Sequence, residues 1–138
     1  MNILIAANTK FIGITSVMVY SLCRSHENIE VEIYLAYHDL RKQDIERLQK
    51  IISCFKDKTL HPLDVGGEFA AKMSVQDRFS CETYYRILAV EMLPQNMDRI
   101  LYLDADTCVL RDIAELYETN LDGHVMGVVH DIPCEHLE

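Results

Sequence analysis

The sequence predicts an α/β domain built on a mainly parallel sheet flanked by helices, and three observations carry that prediction. Short apolar runs alternate with segments of helical period along the first 65 residues. The first of those runs, Ile3 to Ala7, is wholly apolar, as expected of a strand buried on both faces. A later run, Ile100-Leu101-Tyr102-Leu103, leads directly into Asp104-Ala105-Asp106, and a strand of that kind delivers the next residues to the carboxyl edge of a sheet, where open α/β folds place their ligands.

Taken in order, the strand at 3–7 is followed by a polar break, Asn8-Thr9-Lys10. From about Gly13 to Arg24, the residues Val17, Met18, Tyr20, Ser21 and Leu22 fit a helix packed on a sheet. Val31 to Leu35 reads as the next strand, and Leu40 to Phe55, with Ile45, Leu48, Ile51 and Ile52 at helical spacing, as an amphipathic helix. Thr59 to Val65 forms a third strand, weakened by Pro62. This βαβαβ order implies a parallel, right-handed, Rossmann-like half. Residues 66–79 show no clean period and read as an irregular connection that covers a site. A helix from Cys81 to Leu93 follows, with Ser80 as N-cap, Glu82 in the first turn and Pro94 as its stop. The strand at 98–103 carries the Asp pair, a helical turn is expected at 113–117, and Val125 to Val129 reads as one more strand reaching His130-Asp131.

The chain of 138 residues is one domain's worth, and 49% apolar residues with five Gly and three Pro indicate a globular chain. Its formal charge of −9 and the lack of any Lys/Arg-rich run argue against a nucleic-acid groove or an anionic-membrane patch, both of which need a basic surface. Cys23, Cys54, Cys81, Cys108 and Cys134 are widely spread without a Cys-x-x-Cys pair, so they read as reduced thiols in a cytoplasmic protein. No segment approaches the ~20 apolar residues of a membrane span.

Two carboxylates one residue apart at a strand end suit a hard divalent cation such as Mg²⁺ or Mn²⁺, which takes oxygen ligands and completes its shell with water and substrate phosphates. A diphosphate is the natural partner. Asp104-Ala105-Asp106-Thr107 also fits the opening motif of haloacid-dehalogenase-type phosphatases, with Asp104 as nucleophile and Asp106 as general acid. A third reading is a non-catalytic nucleotide-binding or interaction module.

Residues 87–93, Ile-Leu-Ala-Val-Glu-Met-Leu, lead to Arg99-Ile100-Leu101-Tyr102-Leu103-Asp104-Ala105-Asp106. Thr83-Tyr84-Tyr85-Arg86 opens the helix before them, and Ile-x-x-Ala-Ala stands at 3–7. In this order the pieces resemble the N-terminal part of glycosyltransferase family 8, from Met1 to about Asp131. The resemblance implies a GT-A-type, Rossmann-like nucleotide-binding domain over 1–138, C-terminally incomplete, and a retaining transfer of hexose from a UDP-sugar with Mn²⁺ or Mg²⁺. It implies that Asp104 and Asp106 hold the metal and that Asp104 and the Ala105 backbone lie near the ribose. Ala6 and Asn8 would sit beside the uracil, Arg86 would reach the donor's sugar and diphosphate, and Asp131 would face the acceptor, a glycan or lipid-linked sugar. Where the family has Asp-x-Asn, this chain has Asn8-Thr9-Lys10, so Asn8 is expected to accept from the base through its carbonyl oxygen and Lys10 to contact the diphosphate or solvent. Family members continue for a comparable stretch that carries a metal-binding His, an Asn and an Asp-Gln pair. The chain is therefore expected to bind nucleotide with little or no transfer, and to self-associate through uncovered apolar surface.

Overall fold

The computed structural model describes residues 1–66 and 81–129. Among them the elements are β1 (Asn2–Ala6), α1 (Ile12–Ser25), β2 (Val31–Tyr37), α2 (Lys42–Ile52), β3 (Lys58–Asp64), α3 (Cys81–Val90), β4 (Leu101–Tyr102) and α4 (Ala114–Tyr117). The four strands form one sheet in the order β3-β2-β1-β4. Every neighbouring pair is parallel, with Ile3 opposite Ile33 and Leu101, and Ile33 opposite Leu60. Pro62 is tolerated because β3 lies at the sheet edge, where a missing backbone donor breaks no central ladder.

Alternation along the strands sends side chains to two separate cores. On one face Ile3, Ile5, Ile33 and Leu35 meet Met18, Val19 and Leu22 of α1 and Leu48 and Ile52 of α2. On the other, Leu4, Ala6, Tyr34 and Ala36 meet Tyr85, Leu88 and Ala89 of α3. Burial on both faces explains why β1 reads as an unbroken apolar run.

α1 presents a different face from the one its largest side chains suggest. Ile12, Thr15, Ser16, Val19, Leu22 and Cys23 are buried with Met18, whereas Val17 and Tyr20 are 58% and 53% exposed. The buried set follows the 3.6-residue period, and Thr15 and Ser16 join it because their hydroxyls bond back to the carbonyls of Phe11 and Ile12. α2 begins at Arg41, whose N–H donates to Asp44 Oδ2 at 3.1 Å. The Arg41 guanidinium, hydrogen-bonded to Asp44, holds that carboxyl below its ordinary range.

Three expected elements differ. The helix expected to reach Leu93 ends at Val90 and continues as tight turns to Pro94. β4 is two residues long, extended by the Leu103 N–H donating to the Leu4 carbonyl at 3.0 Å. Residues 125–129 are not a strand: Val125 and Val129 are 97% and 89% exposed, and no sheet neighbour receives them among the described residues. Ser80, most of the 66–79 connection, His130 and Asp131 lie outside the described residues.

Candidate active site

From β1 the chain passes through α1 to β2 on one side, while β4 joins on the other, so the strand order reverses between β1 and β4. At such a switch point the loops after two adjacent strands diverge and leave a crevice. Here it is a cleft of about 350 Å³. Ala6 and Asn8 enter it from the end of β1 and Lys10 from the loop beyond. Arg86 comes from α3, and Asp104, Ala105 and Asp106 from the loop after β4. The seven residues singled out in the sequence for metal and nucleotide thus line one space, although they come from three distant parts of the chain.

The geometry around Asp104 is specific. The Tyr102 hydroxyl donates to Asp104 Oδ1 at 2.8 Å, and Arg86 Nη2 lies 3.9 Å from the same oxygen. The guanidinium carbon sits 4.4 Å from the centre of the Tyr102 ring, a cation–π stack that orients the fork. Arg86 Nε is buried with no hydrogen-bond partner among the described residues. Burial, and then the hydrogen bond to Asp104, push the Tyr102 phenol well above its ordinary pKa, so it stays a proton donor. Beyond Asp104 the chain turns tightly: the Thr107 N–H and hydroxyl both donate to the Asp104 carbonyl, at 3.1 and 2.8 Å. The Ala105 methyl is buried as the inner side of this turn, while Asp104 and Asp106 are exposed.

Asn8 is buried, and its Oδ1 accepts from the backbone N–H groups of Lys10 and Phe11, at 2.9 and 3.0 Å. The oxygen opens the turn into α1, the local bond Asn side chains favour. Thr9 is tied to the end of β2, where Asp39 Oδ1 accepts its N–H at 3.1 Å.

Phe11, which belongs to no motif recognised in the sequence, and Tyr102, which the sequence shows within the strand but with no role of its own, also line the cleft. Phe11 is 43% exposed, unusual for an aromatic ring beside a packed sheet. Tyr102 had a usable signal, because residues two apart on an extended strand share a face and Asp104 lies two beyond it. Among the described residues no three of His, Cys, Asp and Glu gather to form a cation site from protein alone. Asp131 lies outside the described residues, and His124 is exposed.

A parallel sheet with this order and cleft is the GT-A type of α/β fold, as its solved neighbours show. The structure superposes on galactosyltransferase LgtC, solved with donor and acceptor sugar analogs, with a TM-score of 0.66 and 18% identity over 87% of this chain and 43% of LgtC. The chain belongs to glycosyl transferase family 8, whose sequence model matches residues 2–137. It is 25% identical over 107 residues to glycosyltransferase GlyF of Streptococcus pneumoniae serotype 4, covering 78% of this chain and 26% of GlyF. Over 49 residues it is 43% identical to the lipopolysaccharide 1,2-glucosyltransferase of Escherichia coli K12, covering 36% of this chain and 14% of that protein. The chain thus spans about a quarter or less of the length of these two relatives. The phosphatase reading is disfavoured, since its motif usually follows the first strand of the domain and here the pair follows the fourth of the described strands.

Proposed function

We propose that this protein is a retaining hexosyltransferase that draws on a UDP-hexose bound in the cleft with Mn²⁺ or Mg²⁺ and passes the hexose to a glycan or lipid-linked sugar acceptor. The observation that supports it most is the convergence of Asp104, Asp106, Arg86 and Lys10 on one cleft at the switch point. Two exposed carboxylates, with no third His, Cys, Asp or Glu gathered beside them among the described residues, suit a cation that also takes phosphate oxygens and water. When bound, such an ion contributes positive charge to the diphosphate.

In this reading Asp104 and Asp106 hold the metal, and the Ala105 backbone and Asp104 lie beside the ribose. Ala6, Asn8 and the exposed Phe11 ring form the base wall. Breaking the sugar–phosphate bond leaves negative charge on the departing UDP, and the Arg86 fork, held by Tyr102, neutralises it as it forms. Lys10 adds a second positive charge toward the diphosphate. Asp131 is proposed on the acceptor side. The named activity of the E. coli relative supports a lipopolysaccharide-type acceptor.

Calorimetry tests this. UDP is expected to bind in Mn²⁺ and much more weakly in EDTA, and Asp106→Asn to remove most of the difference. Equal affinity with and without metal would sink the proposal. Because Asn8 Oδ1 already serves two backbone donors, preference for UDP over GDP or ADP is expected to stay below about 100-fold, roughly 2.7 kcal/mol. The 138-residue chain alone is expected to bind without useful transfer and to sediment as a dimer or larger species; a monomer that transfers hexose unaided would overturn both expectations.

A further inference from the structure

Asp104 and Asp106 sit on a loop, and a loop keeps a binding geometry only as well as its two ends are held. The upstream end is held by the sheet, through the Leu103 N–H and the Leu4 carbonyl. The downstream end is held by polar side chains from the last turns of α1. The Val109 N–H donates to Ser21 Oγ at 2.9 Å, and Ser25 Oγ donates to the Val109 carbonyl at 3.0 Å. Four residues later the Ile113 N–H donates to Nε2 of His26 at 2.9 Å.

The His26 side chain is completely buried. Its Nδ1 lies 2.8 Å from the Leu22 carbonyl; with Nδ1–H donating there, Nε2 is the atom that accepts from Ile113. The Asp112 carboxylate lies 3.2 Å from Nε2 and accepts from the Ala114 N–H at 2.7 Å. Ser21 is likewise satisfied in both roles, donating to the Met18 carbonyl while accepting from Val109. His26 is buried beside Leu22 and Cys23, where a polar side chain is costly unless bonded, while Ser21 and Ser25 are half-buried at the edge of that core. Each of the three also bonds the backbone at Val109 or Ile113, in a stretch without helix or strand to satisfy it.

We propose that Ser21, Ser25 and His26 are positioning residues: together they clip residues 109–113 to α1 and thereby set the separation and aim of Asp104 and Asp106. The inference rests on the cation–diphosphate reading of the cleft. The clip touches the backbone downstream of the two carboxylates and not the carboxylates themselves, so it acts by holding the loop that carries them, and losing it is expected to weaken metal binding even when the ligands are intact.

The test is a Mn²⁺ titration of the 138-residue chain at saturating UDP, with amide hydrogen exchange over residues 104–113. The Ser21→Ala/Ser25→Ala pair and His26→Leu are compared with His26→Gln, which keeps an acceptor for Ile113. Leu48→Ala on α2 serves as a general destabilising control. The clip variants are expected to raise the half-saturating Mn²⁺ concentration about tenfold, with His26→Gln recovering most of the loss and Leu48→Ala staying within about twofold. Faster exchange at 107–113 with unchanged Mn²⁺ dependence would reduce the clip to a structural role and overturn the inference, as would an equal shift in Leu48→Ala. Wild-type chain that binds no UDP in Mn²⁺ would instead fail the cleft reading and take the inference with it, whereas wild-type binding with unaltered clip variants fails the inference alone.

Discussion

Residues 2–64 bury Ile3, Ile5, Val31, Ile33 and Leu35 completely, whereas residues 99–129 leave Leu110, Val125 and Val129 at 87%, 97% and 89% exposure. The first region is ordered by apolar burial and by continuous parallel ladders on both sides of β2. The second is fastened by point contacts between polar side chains and backbone. Arg99 donates to the carbonyls of Tyr117 and Thr119, the Tyr117 hydroxyl donates to the Arg99 carbonyl, and the Ser21–Ser25–His26 clip holds 109–113. The Asp pair lies in the second region. Its scaffold adds to the short β4 ladder and the burial of Ala105 and Val109 only these few hydrogen bonds, and a segment of that kind opens locally before the whole domain does.

That contrast can be broken by mutation, and the largest expected effect is in the first core. Leu35→Ala is expected to cost about 2–5 kcal/mol in denaturant melts, since it opens a cavity between the sheet and its helices. A smaller loss would mean that this core is less closed than its burial indicates. Thiol chemistry sharpens the comparison. Burial raises the Cys23 pKa to about 11, whereas Cys108 is exposed. Because the thiolate is the reactive form and a raised pKa makes it scarcer, Cys108 is expected to alkylate about 100-fold faster than Cys23 at pH 8. Peptide mapping with similar rates at both would contradict the closed first core.

Tyr117→Phe probes the second region's polar fastening. It removes the hydroxyl that donates to the Arg99 carbonyl at 3.1 Å and accepts from the Asn2 N–H at 3.3 Å, an expected loss of about 1 kcal/mol. The smallest effect is expected from Leu110→Ala, within about 0.5 kcal/mol despite the size of the side chain removed. A Leu110→Ala loss comparable to that of Leu35→Ala would show that Leu110 itself is covered in solution.

The strand–helix alternation of residues 2–64 is legible in the amino-acid order alone, because burial on two faces writes itself locally as apolar runs and helical spacing. So is the position of the Asp pair at a strand end, since Leu101-Tyr102-Leu103 precedes it directly. The outward face of α1 is not, because Val17 and Tyr20 are larger than the Thr15 and Ser16 that pack inward. Residues 125–129 read as a strand because an apolar run does not say whether a neighbouring strand receives it. It took the assembled sheet to show that Arg86 stacks on Tyr102, that Asn8 spends its oxygen on its own turn, and that Ser21, Ser25 and His26 hold the backbone at 109–113. The bonds of that clip join a side chain to a backbone group more than 80 residues away. A backbone N–H or carbonyl is the same at almost every residue, so nothing in the sequence marks which one a distant serine or histidine will meet until the sheet has brought the two segments side by side.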